Sequence, residues 1–444
     1  MLQEINADGL RLSAGIGGGM KVRILLTAVF FSAAVMLQAA PFDLADSFDK
    51  EGTLFEKLTP ANLQNNSILK AGSCFKWLSY KRDAARYQAL RRKNITFFSE
   101  VVPEAIVRFK DGKLNRVYIS VYNKGDSEPI TDEKDFELKI EALAKKLSEK
   151  TGVRPQENQR RLGSRAKVKM RVWNTPVLSY QLRWSSSDKD FFLAEYILVT
   201  IERSQGAGEN NTVVGKVEKS ASQLSANVKK TPANDVYIDG IPMVDQGAKG
   251  YCVPAVVERI MKYYGSDDIT QHTIAQIAGT SNRGTNAEEM YNSLKRISNR
   301  LGCRLNSHYS FLDDIRDFRS FMDRYNGIAR KNKAPTVKIV TRGDTVFVGE
   351  TLRNCKPDLF EKARMDDKRE FKKFKKRVHD FIDKGIPVIW CVPGHMRMII
   401  GYNDNDSMIV FSDTWGAKYE FQKMKMDKAW AMTQAMYTLE PRKK

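Results

Sequence analysis

Residues 241–252 read IPMVDQGAKGYC, and the following twelve, VPAVVERIMKYY, place Val253, Val256, Val257, Ile260, Met261 and Tyr264 at helical spacing. Pro254 suits the first turn of such a helix, where its missing N–H has no intrahelical partner to lose. The pattern therefore predicts a helix over 253–264 with Cys252 at its start. Unpaired backbone amides and the positive end of the helix dipole favour a thiolate at that position, and a thiolate is a nucleophile. Gln246, six residues earlier, offers a side-chain amide donor. Together with the backbone N–H of Cys252 it is suited to stabilising the oxyanion of a tetrahedral intermediate.

A nucleophile of this kind needs an acid/base partner, and the chain has only four histidines, at 272, 308, 379 and 395. His395 stands between two strand-like runs, 386–392 and 396–402, and Asp413 closes the next one, 407–411. A further strand-like run covers 418–421, and Asn403-Asp404-Asn405-Asp406 supplies a turn. His395 is placed to pair with Cys252 as imidazolium and to protonate a leaving group, while Asp413 holds the imidazole in the productive tautomer. Nucleophile and base thus come from separate segments that folding must bring together. His272 and His308 have no partners at ligand spacing and read as structural, and His379 reads as partly exposed on a helix. Cys391 reads as a buried strand thiol. No CxxC or HExxH occurs, so neither zinc nor another cofactor is expected.

In these segments the chain resembles the papain-like cysteine peptidases. QGAKGYC, with Gln246 six positions and Gly250 two positions before Cys252, looks like the papain nucleophile motif. HMRMIIGY, residues 395–402, is similar to the histidine segment, in which a Gly-Tyr pair follows at the same distance. Asp413-Thr414-Trp415-Gly416 resembles the Asn-Ser-Trp-Gly motif, which carries the third member and the tryptophan that shields it. The resemblance covers residues 236–435 and implies an α+β fold of two lobes. A helical lobe would begin with Cys252, a β-barrel-like lobe would carry His395 and Asp413, and a substrate cleft would lie between them. It also implies hydrolysis of peptide bonds through a thioester on Cys252. Lys249 and Val253 replace the first Cys and the Trp of the Cys-Gly-Ser-Cys-Trp run of papain, so the disulfide found there is absent. IPMVDQGAKGYC and the following Val-Pro-Ala look more like a bacterial branch related to the peptidases that cleave bacteriocin leaders at double glycines. Those proteins carry a transporter, and no nucleotide-binding loop is found here, so that substrate is not implied. Asp413 in place of Asn should raise the His pKa and strengthen the ion pair with the thiolate. Two alternatives use the same residues: a transglutaminase-like acyl transferase, whose Cys is normally followed by Trp, and an inactive scaffold that binds a peptide or wall polymer.

Outward from this region, Asn286 is suited to capping a helix that runs to Leu301 and stops at Gly302, and a long charged helix is expected over 357–384 with Gly385 ending it. Within that helix, Phe371, Phe374, Val378 and Phe381 recur at three- and four-residue spacing. The basic run 371–377 therefore reads as the exposed side of an amphipathic helix. Residues 206–233, rich in Gly, Asn, Ser, Lys and Thr, read as a flexible linker between a peptidase-like domain, 234–444, and an N-terminal α+β unit, 41–205. Gly215-Lys216 in that linker lacks the upstream Gly and the following Ser/Thr of a phosphate loop. The N-terminal unit shows alternating runs over 105–122 joined by Asp111-Gly112, a helical pattern over 136–147 and a strand-like run over 191–201. An inhibitory pro-region, a substrate-docking module and a spacer all fit it.

Before it, Lys21 and Arg23 precede a fourteen-residue apolar run, 24–37, followed by Ala39, Ala40 and Pro41. This is the pattern of a secretory signal peptide, and Met20 would be the natural start. The run is short for a bilayer span, which needs about 20 residues. The expectation is export to the periplasm or beyond without stable membrane insertion, an uncleaved anchor being the alternative. Export makes disulfides possible, and five cysteines leave at least one thiol unpaired in a monomer. The net charge of +20 is spread along the chain: residues 234–444 hold 36 basic and 27 acidic residues, a net +9. No single basic domain stands out, so a peptide or protein substrate is expected and a nucleic acid is not.

Overall fold

Asp111 and Gly112 adopt φ of 51° and 74°, the conformation a two-residue hairpin loop requires. They join two adjacent strands of the first half, Glu104–Lys110 and Lys113–Asn123. The computed structural model describes residues 42–88, 95–162, 166–188, 191–204, 219, 221–281, 284–285, 291–292, 294–295, 298–299, 301–311 and 314–442. The expected signal peptide, Gly215-Lys216 with most of the expected linker, and the expected Asn286 cap lie outside the described residues.

The first half is an eight-stranded antiparallel sheet. Its strands are β1 (Phe75–Trp77), β2 (Ala84–Gln88), β3 (Glu104–Lys110), β4 (Lys113–Asn123), β5 (Gln156–Leu162), β6 (Ala166–Asn174), β7 (Leu178–Ser187) and β8 (Leu193–Arg203). They run in the order β1-β2-β3-β4-β8-β7-β6-β5. Helix α1 (Glu133–Thr151) lies against β6, β7 and β8 and buries Phe136, Ile140, Leu143 and Leu147. The Asp132 carboxylate accepts the Asp135 N–H at 3.0 Å to start it, and Gly152 at φ 70° ends it.

The second half has its own antiparallel sheet and its own core. Its strands are β9 (Val228–Lys230), β10 (Val236–Ile238), β11 (Cys303–Ser310), β12 (Val388–Val392), β13 (His395–Asn403), β14 (Met408–Ser412), β15 (Gln422–Lys425) and β16 (Ala435–Pro441). The order is β9-β10-β13-β12-β16-β11, with β14 pairing both β13 and β15. Helix α2 (Cys252–Tyr263) packs on β13 and on α3 (Gln271–Ala278). Val256, Val257 and Ile260 of α2 share a core with Val388, Ile389, Trp390, Met398 and Ile399, and each such fully buried aliphatic side chain contributes about 1.5–3 kcal/mol. Every residue of α2 after Cys252 is buried, including Glu258, Arg259 and Lys262. Glu258 pairs with Lys262 at 2.6 Å and caps α3 by accepting the Gln271 N–H at 2.6 Å.

Three features depart from the sequence pattern. The expected long helix is two, α5 (Pro357–Met365) and α6 (Lys368–Ile382), preceded by α4 (Ile315–Lys331). Asp367 breaks it by accepting the Glu370 N–H at 3.1 Å as the cap of α6. Arg364, at the end of α5, is meanwhile drawn inward among the rings of Tyr309, Phe311, Phe321, Phe360 and Trp430. Its Nη2 donates to the Thr433 carbonyl at 2.9 Å. The run 418–421 is not a strand: Gly416 at φ 91° turns the chain into a 3-10 turn, Ala417–Tyr419, and pairing resumes only at β15. Finally, the end of the Gly- and Ser-rich stretch is built into the second half, where β9 pairs with β10 and Leu224 is buried against Gly385.

All five cysteines are free thiols, and among the described residues no helix is long and apolar enough to cross a membrane.

Gly401 marks where β10 crosses β13: a Cβ there would lie 2.4 Å from the Val236 carbonyl oxygen and 2.8 Å from the Tyr237 Cβ. Gly401→Ala must push β10 off the sheet and is expected to cost about 1–3 kcal/mol by overpacking. The urea midpoint should fall at unchanged slope. An unmoved midpoint would show that β10 is not seated against this strand.

Candidate active site

Burial of the whole of α2 presents its first residue at a fixed point, and Cys252 alone of that helix is partly exposed. Arg259 lies seven residues on and so on nearly the same helix face. Its Nε donates to the Pro242 carbonyl at 3.0 Å, Nη1 to the Asp413 carbonyl at 3.0 Å and Nη2 to the Ser412 Oγ at 2.7 Å. Burial pulls this guanidinium down to about 10, so it remains a cation at neutral pH. The helix that carries Cys252 is thereby tied to the strand end that carries Asp413.

His395 is the first residue of β13, and its Nε2 lies 2.6 Å from Asp413 Oδ1. The Cys252 thiol lies close enough to the same ring to help raise its proton affinity. Asp413 is 1% exposed, and its remaining valences are filled. Arg397 Nε donates to Oδ2 at 3.0 Å and the Thr414 N–H to Oδ1 at 2.8 Å. Its own N–H donates to the Tyr419 carbonyl at 2.9 Å, which is what the 3-10 turn contributes. Burial pushes the Asp413 carboxyl upward, but the hydrogen bond to His395, the charge beside it, the Thr414 N–H and Arg397 outweigh that and hold it below the usual range. Burial likewise pulls the His395 imidazole down. The hydrogen bond to Asp413 and the neighbouring Cys252 more than offset it and raise His395 to about 9. His395 is therefore an imidazolium at neutral pH. Trp415 stacks on that ring at 4.6 Å between centroids and 11° between planes, shielding one face of the Asp–His pair from water.

Gln246 is buried in the loop before α2 and is locked at both ends of its amide. Its Oε1 accepts from Thr414 Oγ1 at 2.6 Å, its Nε2 donates to the Lys249 carbonyl at 3.2 Å, and its backbone N–H donates to the Thr414 carbonyl at 2.9 Å. Gly250 lies in the turn where the Tyr251 N–H reaches back to the Lys249 carbonyl at 2.7 Å. Of the residues singled out in the sequence, His395, Asp413 and Trp415 are in direct contact, Gln246 joins Asp413 through Thr414, and Gly250 lies in the loop between Gln246 and Cys252. The other histidines lie elsewhere: His272 is buried 3.3 Å from Glu104, His308 sits 2.7 Å from Thr438, and His379 stacks on Tyr402. Cys391 is close enough to Cys252 to feel its charge, and burial pushes its own thiol up to about 12. Among the described residues no three His, Cys, Asp or Glu side chains converge as metal ligands.

Arg259, Arg397 and Thr414 are parts of the site that the motif reading passed over. Two carried a signal: Arg397 is two residues from His395 and so on the same face of its strand, and Arg259 is a charge on the Cys252 face of its helix, seven residues after the nucleophile. Thr414 carried none.

Residues 360–437 match the model of the Peptidase_C39 like family. The matched stretch contains His395, Asp413 and Trp415 and stops short of Gln246 and Cys252. It supports a cysteine peptidase of the papain-like kind in the broad sense and says nothing about the branch. No curated protein matches the chain.

The charge on Asp413 sets the titration of His395. Because His395 rises from 6.5 to about 9 on folding, its contribution to stability is fully present below about pH 6.5 and is lost as pH rises through about 9. Asp413→Asn removes the anion but keeps the shape, so the His395 ring resonance should titrate more than a pH unit lower, and stability should change less between pH 6.5 and 9. A titration midpoint that stays near 9 would mean that Asp413 is not the dominant partner.

Proposed function

We propose that the protein is an exported cysteine peptidase that hydrolyses peptide bonds through a thioester on Cys252. The observation that carries this reading is the 2.6 Å His395–Asp413 hydrogen bond with the Cys252 thiol beside the ring, at the start of a buried helix. Cys252 attacks the substrate carbonyl as thiolate, its proton held by His395, and the carbonyl oxygen becomes an oxyanion. A primary amide has two N–H hydrogens. Gln246 spends one on Lys249 and offers the other to the oxyanion, together with the Cys252 backbone N–H. Collapse breaks the C–N bond, and the amine leaves with the His395 proton. Water then attacks the thioester, His395 takes its proton, and the acid departs as Cys252 is released. Throughout, Asp413 orients the ring and balances its charge. Trp415 supports the reading by keeping water off that pair. The basic n-region and apolar run before residue 41 support export.

The test is a limiting irreversible alkylator applied near neutral pH, with the adduct located by peptide mapping. Cys252 should be labelled well ahead of Cys74, Cys303, Cys355 and Cys391, and His395→Ala should abolish that preference. In a peptide-substrate screen, Cys252→Ala should lose activity by several orders of magnitude, as expected for residues that act as a unit. Labelling of Cys252 no faster than a free thiol would refute the reading. Full retention of function in Cys252→Ala would point to a binding scaffold.

A further inference from the structure

The loop before Cys252 alternates. Gln246 and Cys252 face Thr414 and His395, whereas Asp245, Gly247, Lys249 and Tyr251, one residue out of phase, all meet the first half of the chain. Residues 41–444 form a single compact unit, and this loop is one of the seams between its halves. Arg86 of β2 donates from Nε to Glu104 of β3 at 2.5 Å and places Nη1 3.3 Å from Asp245 Oδ1. That same Oδ1 accepts the Gly247 N–H at 2.8 Å. Gly247 has φ 73°, and a Cβ there would lie 2.8 Å from Arg86 Nη2, so the guanidinium is packed against the loop backbone. Lys249 reaches across to Asp126, just past β4, and lies 3.9 Å from Glu104. Its side chain is 1% exposed, and those of Arg86 and Glu104 are each 3% exposed. A Cβ on Gly125 would meet Lys249 Cδ at 2.6 Å and Tyr251 Cζ at 3.3 Å. The Tyr251 ring is then held edge-on against His272, which itself faces Glu104.

Each of these contacts acts on the backbone that carries the site. The Lys249 carbonyl receives the Gln246 amide, so the tether on the Lys249 side chain bears on the direction of the proposed oxyanion donor. Tyr251 is the residue immediately before the nucleophile, and its burial against Gly125 sets where α2 begins. A buried charge is costly to leave without its partner. Were the first half removed, Lys249 would lose both of its carboxylates, Asp245 its guanidinium, and Tyr251 its cover.

We infer that the first half of the chain is a permanent platform that positions the nucleophile loop, with Arg86, Glu104 and Asp126 as positioning residues acting through Asp245, Lys249 and Tyr251. This rests on the catalytic reading above and sets aside a removable pro-region. The platform touches no substrate. It holds Gln246 and Cys252 at the spacing that oxyanion formation requires, and misplacement of such groups by about 1 Å costs about 100-fold in rate.

The test uses the full chain in three variants, Lys249→Met, Asp126→Asn and the double variant, which removes both members of the pair and so avoids stranding either charge. For each folded protein, Cys252 alkylation is followed as a function of pH, with kcat and KM measured on a peptide substrate found by screening. Expected are a fall of about 10- to 100-fold in kcat with KM little changed and an altered pH profile of Cys252 labelling. The double variant should melt nearer to wild type than Lys249→Met while remaining slow. Variants that melt lower yet label Cys252 at the wild-type rate across the pH range would overturn the inference and leave the catalytic reading standing. A wild-type Cys252 that labels like a free thiol would overturn both.

Discussion

A carboxylate that folding removes from water must be met by cations and donors or take up a proton. Asp413 is such a group, and the second half of the molecule is arranged to meet it. His395 and Arg397 reach it from alternate positions of β13, Thr414 from the next residue of its own chain, and Arg259 from the helix of Cys252 through the Asp413 carbonyl. Strand, turn and helix therefore converge on one residue. His395, Arg397 and the Thr414 N–H satisfy its carboxylate, while α2 through Arg259 and the 3-10 turn after Gly416 hold its backbone. Such a network is also demanding: at low local dielectric a partly satisfied version would be worse than an apolar core.

Thr414 extends the same network to Gln246 in the loop before α2. It gives its hydroxyl to Gln246 Oε1 and its carbonyl to the Gln246 N–H, while its own N–H serves Asp413. The nucleophile loop with its helix and the strand end that carries Asp413 are thus linked twice, once through Arg259 and once through Thr414. Neither link passes through the reacting atoms. A site built this way can change its charge distribution during turnover without moving its supports, which is the physical content of preorganisation.

Much of this was legible in the sequence, for reasons that differ by element. Helix 253–264 and the strands around His395 announced themselves because burial on one face imposes a period, and Asp111-Gly112 because only a few residues tolerate positive φ at both loop positions. The residues of the site were legible because Cys, His and Asp at these places have a chemical reason to occur together. What the pattern hid was tertiary. Asp366-Asp367 read as two more charges on a long helix, yet Asp367 is a cap, and it is needed because Arg364 turns into an aromatic cage that no local period reveals. The docking of the first half was equally hidden. Arg86, Glu104, Asp126 and Lys249 are scattered charges in the sequence, and only folding places them within reach of one another.

The two thiols nearest the site show how far position outweighs residue type. Cys391 sits inside β12, four residues before His395, and its sulfur is enclosed by the sheet and the core under it. Desolvation first, and the neighbouring Cys252 second, push its thiol up to about 12, where it is a small hydrophobe and no more. Cys252 occupies the first position of a helix, is partly open to solvent, and lies beside the His395 ring. The same side chain is thus inert on one element and suited to attack on the next, and the difference lies in which element the chain chose to carry it.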